Sequence, residues 1–82
     1  MKNPTTPLRP IHAVARDIRR EWKNVNYAAK PYLDAMDSLS VKTDMFYADD
    51  AISIVLYFLC NATSFRGNIA KTLKAELKAI VK

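Results

Sequence analysis

Few residues in this chain have the chemistry to act on another molecule: one histidine, two close pairs of aspartates, one cysteine, and a long series of arginines and lysines. His12 has no Ser, Cys or acid at a spacing that would orient it as a base for a nucleophile. The pairs Asp34/Asp37 and Asp49/Asp50 have the composition of a divalent-ion site. Acids at helix starts serve more often as caps and as charge that complements the helix dipole. Cys60 lies inside an apolar run and reads as a small buried hydrophobe. It has no companion Cys or His to hold zinc. Gly67 is the sole glycine, which leaves no glycine-rich loop to cradle a phosphate. The expectation is a protein that is not an enzyme and has no cofactor and no metal.

The cations are more informative. The formal net charge is +5. Residues 1–30 hold seven Lys or Arg against two acids, residues 31–60 one against five, and residues 61–82 five against one. Arg16, Arg19, Arg20 and Lys23 fall in one basic block, and Lys71, Lys74 and Lys78 in the other. If the helices carrying them lie side by side, the seven residues pool into a phosphate-binding surface, with Arg suited to bidentate contact and Lys acting as a point charge. The competing reading is that each row is a solvated helix face. Arg66 and Asn68 are the side-chain types that read base edges. The polar break Asn61–Ser64 has the length of a helix-turn-helix turn. The helix before it is unusually apolar for one that crosses a DNA backbone. A third candidate is the triplet Met45, Phe46 and Tyr47, which either plugs the core from its edge or anchors a protein partner.

The elements that must position these residues are legible from period and punctuation. Residues 1–9, with Pro4 and Pro7, read as a flexible arm. Pro10 opens helix 1, expected to run to about Lys23, with Ile11, Val14, Ile18 and Trp22 on its apolar side. Helix 2 is short and starts near Pro31, facing Tyr32, Leu33, Met36 and Leu39 inward. After a mixed link over 40–48, Asp49 is the expected cap of helix 3, which runs to about Ala62. Helix 3 is apolar nearly all round and is therefore expected to be the most buried element, with Ile52, Val55, Leu56 and Leu59 in the core. Its β-branched residues also suit a buried strand, but length favours the helix. Thr63 or Ser64 caps helix 4 from Phe65 onward, where Phe65, Ile69, Leu73, Leu77 and Ile80 form the dry side and the lysines the wet one. Trp22 and Phe65 belong to the core.

The resulting fold class is all-α: a small compact bundle of three long helices and one short, with basic outer faces on helices 1 and 4. Residues 10–82 form its single domain. The chain has 82 residues, half of them hydrophobic, which bounds it to one domain with a thin core. The apolar run Ala51–Cys60 has ten residues, against the roughly 20 a membrane span needs. The N-terminus carries no apolar signal segment, and a lone thiol suits a reducing cytoplasm.

The segments RPIHAVARDIRREWKNV, AAKPYLDAM and YFLCNATSFRG resemble parts of small single-domain helical proteins of bacterial and prophage gene sets, whose function is uncharacterised. That resemblance implies a bacterial or phage-related origin and an accessory role, and it carries over no functional residue. The function expected from the residues is that of a helical interaction module or regulator binding a protein. Binding DNA or RNA through helices 1 and 4 is the alternative, and assembly into a structural homodimer is a further one.

Overall fold

The computed structural model describes residues 8–82. The expected arm therefore lies largely outside the described residues, and only its last two members, Leu8 and Arg9, are placed. The elements in order are α1 (Ile11–Glu21), α2 (Lys30–Met36), β1 (Met45–Phe46), β2 (Asp49–Asp50), α3 (Ala51–Cys60) and α4 (Asn68–Ile80). The class is mostly α, with three longer helices and one short.

Each helix start has an identifiable cause, and for α1 it is not local. Pro10 precedes α1 in extended conformation, and no side chain caps it. The first two donors of α1 are met from elsewhere in the chain: Ile11 N–H and His12 N–H donate to the carbonyls of Ser40 and Leu39, both at 2.9 Å. Asn26 organises the turn before α2, accepting from Ala29 N–H at 2.8 Å and donating to the Asn61 carbonyl at 2.9 Å. Asp50, one residue later than expected, caps α3 by accepting from Ser53 N–H at 2.8 Å. Hydrogen bonding from Ser53, its backbone N–H first, holds the Asp50 carboxyl below the usual carboxylate range. α4 starts at Asn68, not Phe65, and its cap is Gly67 at φ 107° rather than Thr63 or Ser64. That backbone conformation suits glycine and few other residues.

The link before α3 holds the one element that the sequence reading lacked. Met45–Phe46 pairs antiparallel with Asp49–Asp50, in the register Met45↔Asp50 and Phe46↔Asp49. Asp44 anchors it by accepting from the N–H groups of Ser40 at 2.7 Å and Val41 at 3.1 Å. These two bonds also lower its pKa. Tyr47 sits in the two-residue turn with φ 55°. Hairpin turns of this length favour glycine at a positive φ, so a tyrosine there carries backbone strain.

Around a shared core the helices pack in the cyclic order α1, α2, α3, α4, with the closest pairings α1 on α4 and α2 on α3. Ile11, Val14 and Ile18 meet Leu33, Met36, Leu39, Val55, Phe58 and Leu77, all fully buried. Trp22 and Phe65 are core residues as expected. Their rings stack at 5.1 Å, and the Trp22 ring meets Phe58 edge-on at 6.1 Å. No polar or charged residue is buried among the described residues.

α3 departs from expectation in a way that bears on function. It is a helix, and its buried side is Ala51, Ile54, Val55 and Phe58. Ile52 and Leu59 are only half-buried, and Leu56 is 48% exposed. Cys60 is exposed rather than buried. Ile69, assigned above to the dry side of helix 4, is 55% exposed, and Ala70 takes the inward position instead. The two departures have separate causes. A helix that is apolar all round does not declare which side is covered, and α4 begins three residues later than expected, which leaves Ile69 exposed in its first turn while Leu73, Leu77 and Ile80 stay inward.

Candidate interaction surface

α1 and α4 do lie side by side, and one cation outside the two basic blocks joins them. The edge they share is occupied by Arg9, which is held between them. Its guanidinium donates to both carboxylate oxygens of Glu76, at 2.8 and 2.9 Å, and to Asp17 at 2.8 Å. Paired this way, Arg9 is held even more firmly protonated than usual, and Asp17 is held below the ordinary carboxylate range, chiefly by Arg9.

The remaining basic residues divide by what they touch. Arg19 leans toward α2, bridging Asp34 at 2.7 Å and Asp37 at 2.8 Å, so that this acid pair is engaged as an ion-pair partner. Arg20 contacts Asp17 at 3.0 Å and Glu21 at 3.4 Å. Arg16 and Lys23 are exposed and make no ion pair among the described residues. α1 is thus largely neutralised by its own neighbours.

α4 is different. Glu76, its only acid, is bonded to Arg9, and Lys71 lies between it and Lys74, lining a groove with Arg9 and Glu76 on one side and a hollow with Lys74 on the other. Lys74 is anchored: its Nζ donates to the carbonyls of Ala62 at 2.8 Å and Phe65 at 2.7 Å and lies 5.8 Å from the centre of the Phe65 ring. Burial, with help from the charges of Lys78 and Arg66, pushes the Lys74 ammonium below the usual lysine value. Phe65, Arg66, Gly67, Lys71 and Lys74 surround a hollow of about 280 Å³. Arg66 donates to the Thr63 carbonyl at 3.3 Å. Arg66, Asn68, Lys71 and Lys78 are all exposed. The connection from α3 to α4 covers residues 61–67, longer than the three- or four-residue turn of a helix-turn-helix.

The apolar candidates also divide. Phe46 packs against the core, whereas Met45 is 58% and Tyr47 90% exposed. The triplet is therefore plug and display at once, with the Phe46 ring supporting Tyr47 edge-on at 4.8 Å. A surface that the sequence reading missed is the outer face of α3. Leu56 and Tyr57 are exposed there, with Cys60 about one helical turn beyond them. Tyr57 is met at its α2 edge by the ring of Tyr32, 5.6 Å away. The available signal was the absence of any charge from Ala51 to Cys60, which above was taken as a sign of burial.

Among the described residues no three His, Cys, Asp or Glu side chains are placed to hold a metal ion. No helix is long and apolar enough to cross a membrane. A groove of about 610 Å³ between residues 8–10, Ser40–Lys42 and the end of α4 is lined by no Asp, Glu, His or Cys side chain among the described residues. Comparison with protein-family models, curated proteins and solved structures finds no match for this chain.

Proposed function

We propose that this protein is a non-catalytic helical interaction module that binds a protein partner through the outer face of α3, with Met45 and Tyr47 as additional contacts. The observation that supports this most is the pairing of exposed apolar residues on a helix whose inner face is already satisfied. Leu56, Tyr57 and Cys60 stay at the surface although nothing in the core requires them to be apolar. Contiguous exposed apolar area of this kind marks interaction sites, and tyrosine is enriched in the centres of interfaces. Strain at Tyr47 points the same way, since backbone in sparsely populated regions clusters at functional positions. An exposed, free thiol at Cys60 suits a reducing cytoplasm.

The test is a photo-crosslinking amino acid placed at position 56, with position 16 on the far side of the bundle as control. The expected result is a discrete adduct from position 56 only, with a partner that rebinds in purified form and is lost with Leu56→Asp. Equal adducts from both positions, or none from position 56, would remove this reading. Sedimentation of the purified chain decides whether that partner is a second copy.

Nucleic-acid binding is the second reading, carried by the exposed cations Arg66, Lys71 and Lys78 of α4 rather than by a pooled α1–α4 surface. Binding to labelled DNA or RNA that falls steeply between about 50 and 200 mM salt would support it.

A further inference from the structure

Independently of the α3 face, we propose that the hollow at the entry to α4 binds a phosphate monoester dianion, the group carried by a phosphorylated side chain or a sugar phosphate. The hollow of about 280 Å³ is lined by Phe65, Arg66, Gly67, Lys71 and Lys74, which supply three cations and no acid. None of the three cations makes an ion pair among the described residues. Gly67 contributes no side chain, and nothing lies within 4 Å of the place a Cβ would take. The recess is open as well as charged.

The cations keep donors for a ligand. An ammonium has three N–H groups, and Lys74 uses two, on the carbonyls of Ala62 and Phe65, so it is fixed in place with one to spare. Arg66 spends Nε on the Thr63 carbonyl at 3.3 Å. Its terminal nitrogens remain for the paired contact that a guanidinium makes with phosphate oxygens. Lys71 also lines the groove that holds Glu76, but both carboxylate oxygens of Glu76 are taken by Arg9. Burial first, then repulsion from Lys78 and Arg66, pushes the Lys74 ammonium below its usual value. A bound anion relieves that repulsion.

The surroundings favour one compact anion over a polyanion. Glu21 lines the adjoining hollow that shares Phe65, Arg66 and Gly67, and Glu76 lines the adjoining groove that shares Lys71. A nucleic-acid strand crossing the hollow brings its next phosphates toward these carboxylates. A monoester instead concentrates about −1.5 to −2 charge on a single group at neutral pH. The volume lies just below the roughly 300–1,000 Å³ of small-molecule sites, which suits one phosphate group better than a whole nucleotide.

Gly67 provides the assay, because it is the sole glycine and lines the hollow. Its amide resonance is followed by NMR in the 82-residue chain as ligands are added. The ligands are blocked phosphoserine, ribose 5-phosphate, the diester dimethyl phosphate and a short single-stranded DNA. The expected result is a saturable Gly67 shift with a monoester at a Kd of about 1 mM or tighter, and about ten-fold weaker binding of the diester. Amides of the β1–β2 hairpin stay in place. Arg66→Gln weakens monoester binding about ten-fold and Lys71→Gln about three-fold. Arg16→Gln removes the same charge from α1 and changes nothing. Lys74 is left intact, since it also supports the fold. Whichever monoester binds more tightly identifies the source, and either supports the site.

Three results would overturn the proposal. Equal binding of the diester, or equal weakening by Arg16→Gln and Arg66→Gln, would reduce the effect to general attraction by a basic chain. DNA that moves Gly67 at a lower phosphate concentration than either monoester would assign these cations to nucleic acid. No movement of Gly67 up to about 20 mM monoester would dismiss the site outright. Crosslinking from position 56 judges the α3 reading separately in every case.

Discussion

The two faces of α3 are built from the same kinds of residue and have opposite fates. Ala51, Ile54, Val55 and Phe58 are sealed in the core, while Leu56, Tyr57 and Cys60 stand in solvent. α2 and α4 flank the helix, and no described element lies across its back. The same division recurs on α4, where one flank is clamped by Arg9 and the other presents cations. Each helix gives one side to the fold and keeps another free. In so small a chain, where the stability margin is thin, apolar and uncompensated charged surface left free is a departure from what stability alone would favour.

The sharpest way to break this comparison is to truncate both faces. Phe58→Ala should cost about 3–5 kcal/mol, because it empties the centre of the core beneath Trp22. Leu56→Ala should change stability by no more than about 1 kcal/mol, as an exposed site does. Urea melts of the two variants decide it, and equal losses would mean that the outer face is structural.

Lys74 tests where the free flank of α4 begins. Lys74→Met keeps the stem against Phe65 and removes the donor to two carbonyls, at an expected cost of about 1–3 kcal/mol. Lys71→Met and Lys78→Met should be close to neutral in the same melts. A neutral Lys74→Met would place all three lysines in one class.

On the clamped flank, Arg9→Ala should cost about 1 kcal/mol, the upper range for a partly exposed ion pair. Its pH dependence has a definite sign. The folded pKa of Asp17 is lowered by Arg9, so its contribution is present above the unfolded value near 4 and is lost as pH falls through the lower folded value. Thermal melts between about pH 6 and 2 should show this loss, and Asp17→Asn should remove that part of the slope. The smallest effect is chemical: Cys60 should react with a thiol reagent in the native state without denaturant. Protection of the thiol until unfolding would return it to the core.

Much of the architecture was legible in the sequence. Helical spacing gave α1 with its inward Ile11, Val14, Ile18 and Trp22, the short α2, and Leu73, Leu77 and Ile80 on α4. These patterns are local, repeat every turn, and need no knowledge of the partner. The basic surface was less legible. Arg19 and Arg20 were grouped with Lys71 and Lys78 by residue type, yet their acids lie in α1 and α2 and neutralise them where they stand. Arg9 gave no signal at all, since its partner Glu76 is 67 residues away.

The sequence by itself determined which segments are helical, the aromatic residues that close the core, and the basic, acidic, basic order of charge. Only the tertiary structure decided which side of α3 is covered, which basic residues find an acid, and that Arg9 joins α1 to α4. The physical reason is range. Helix formation and amphipathicity are written in neighbours three and four residues apart. The cover over a face and the counter-ion for a charge come from residues that meet only after the chain has folded.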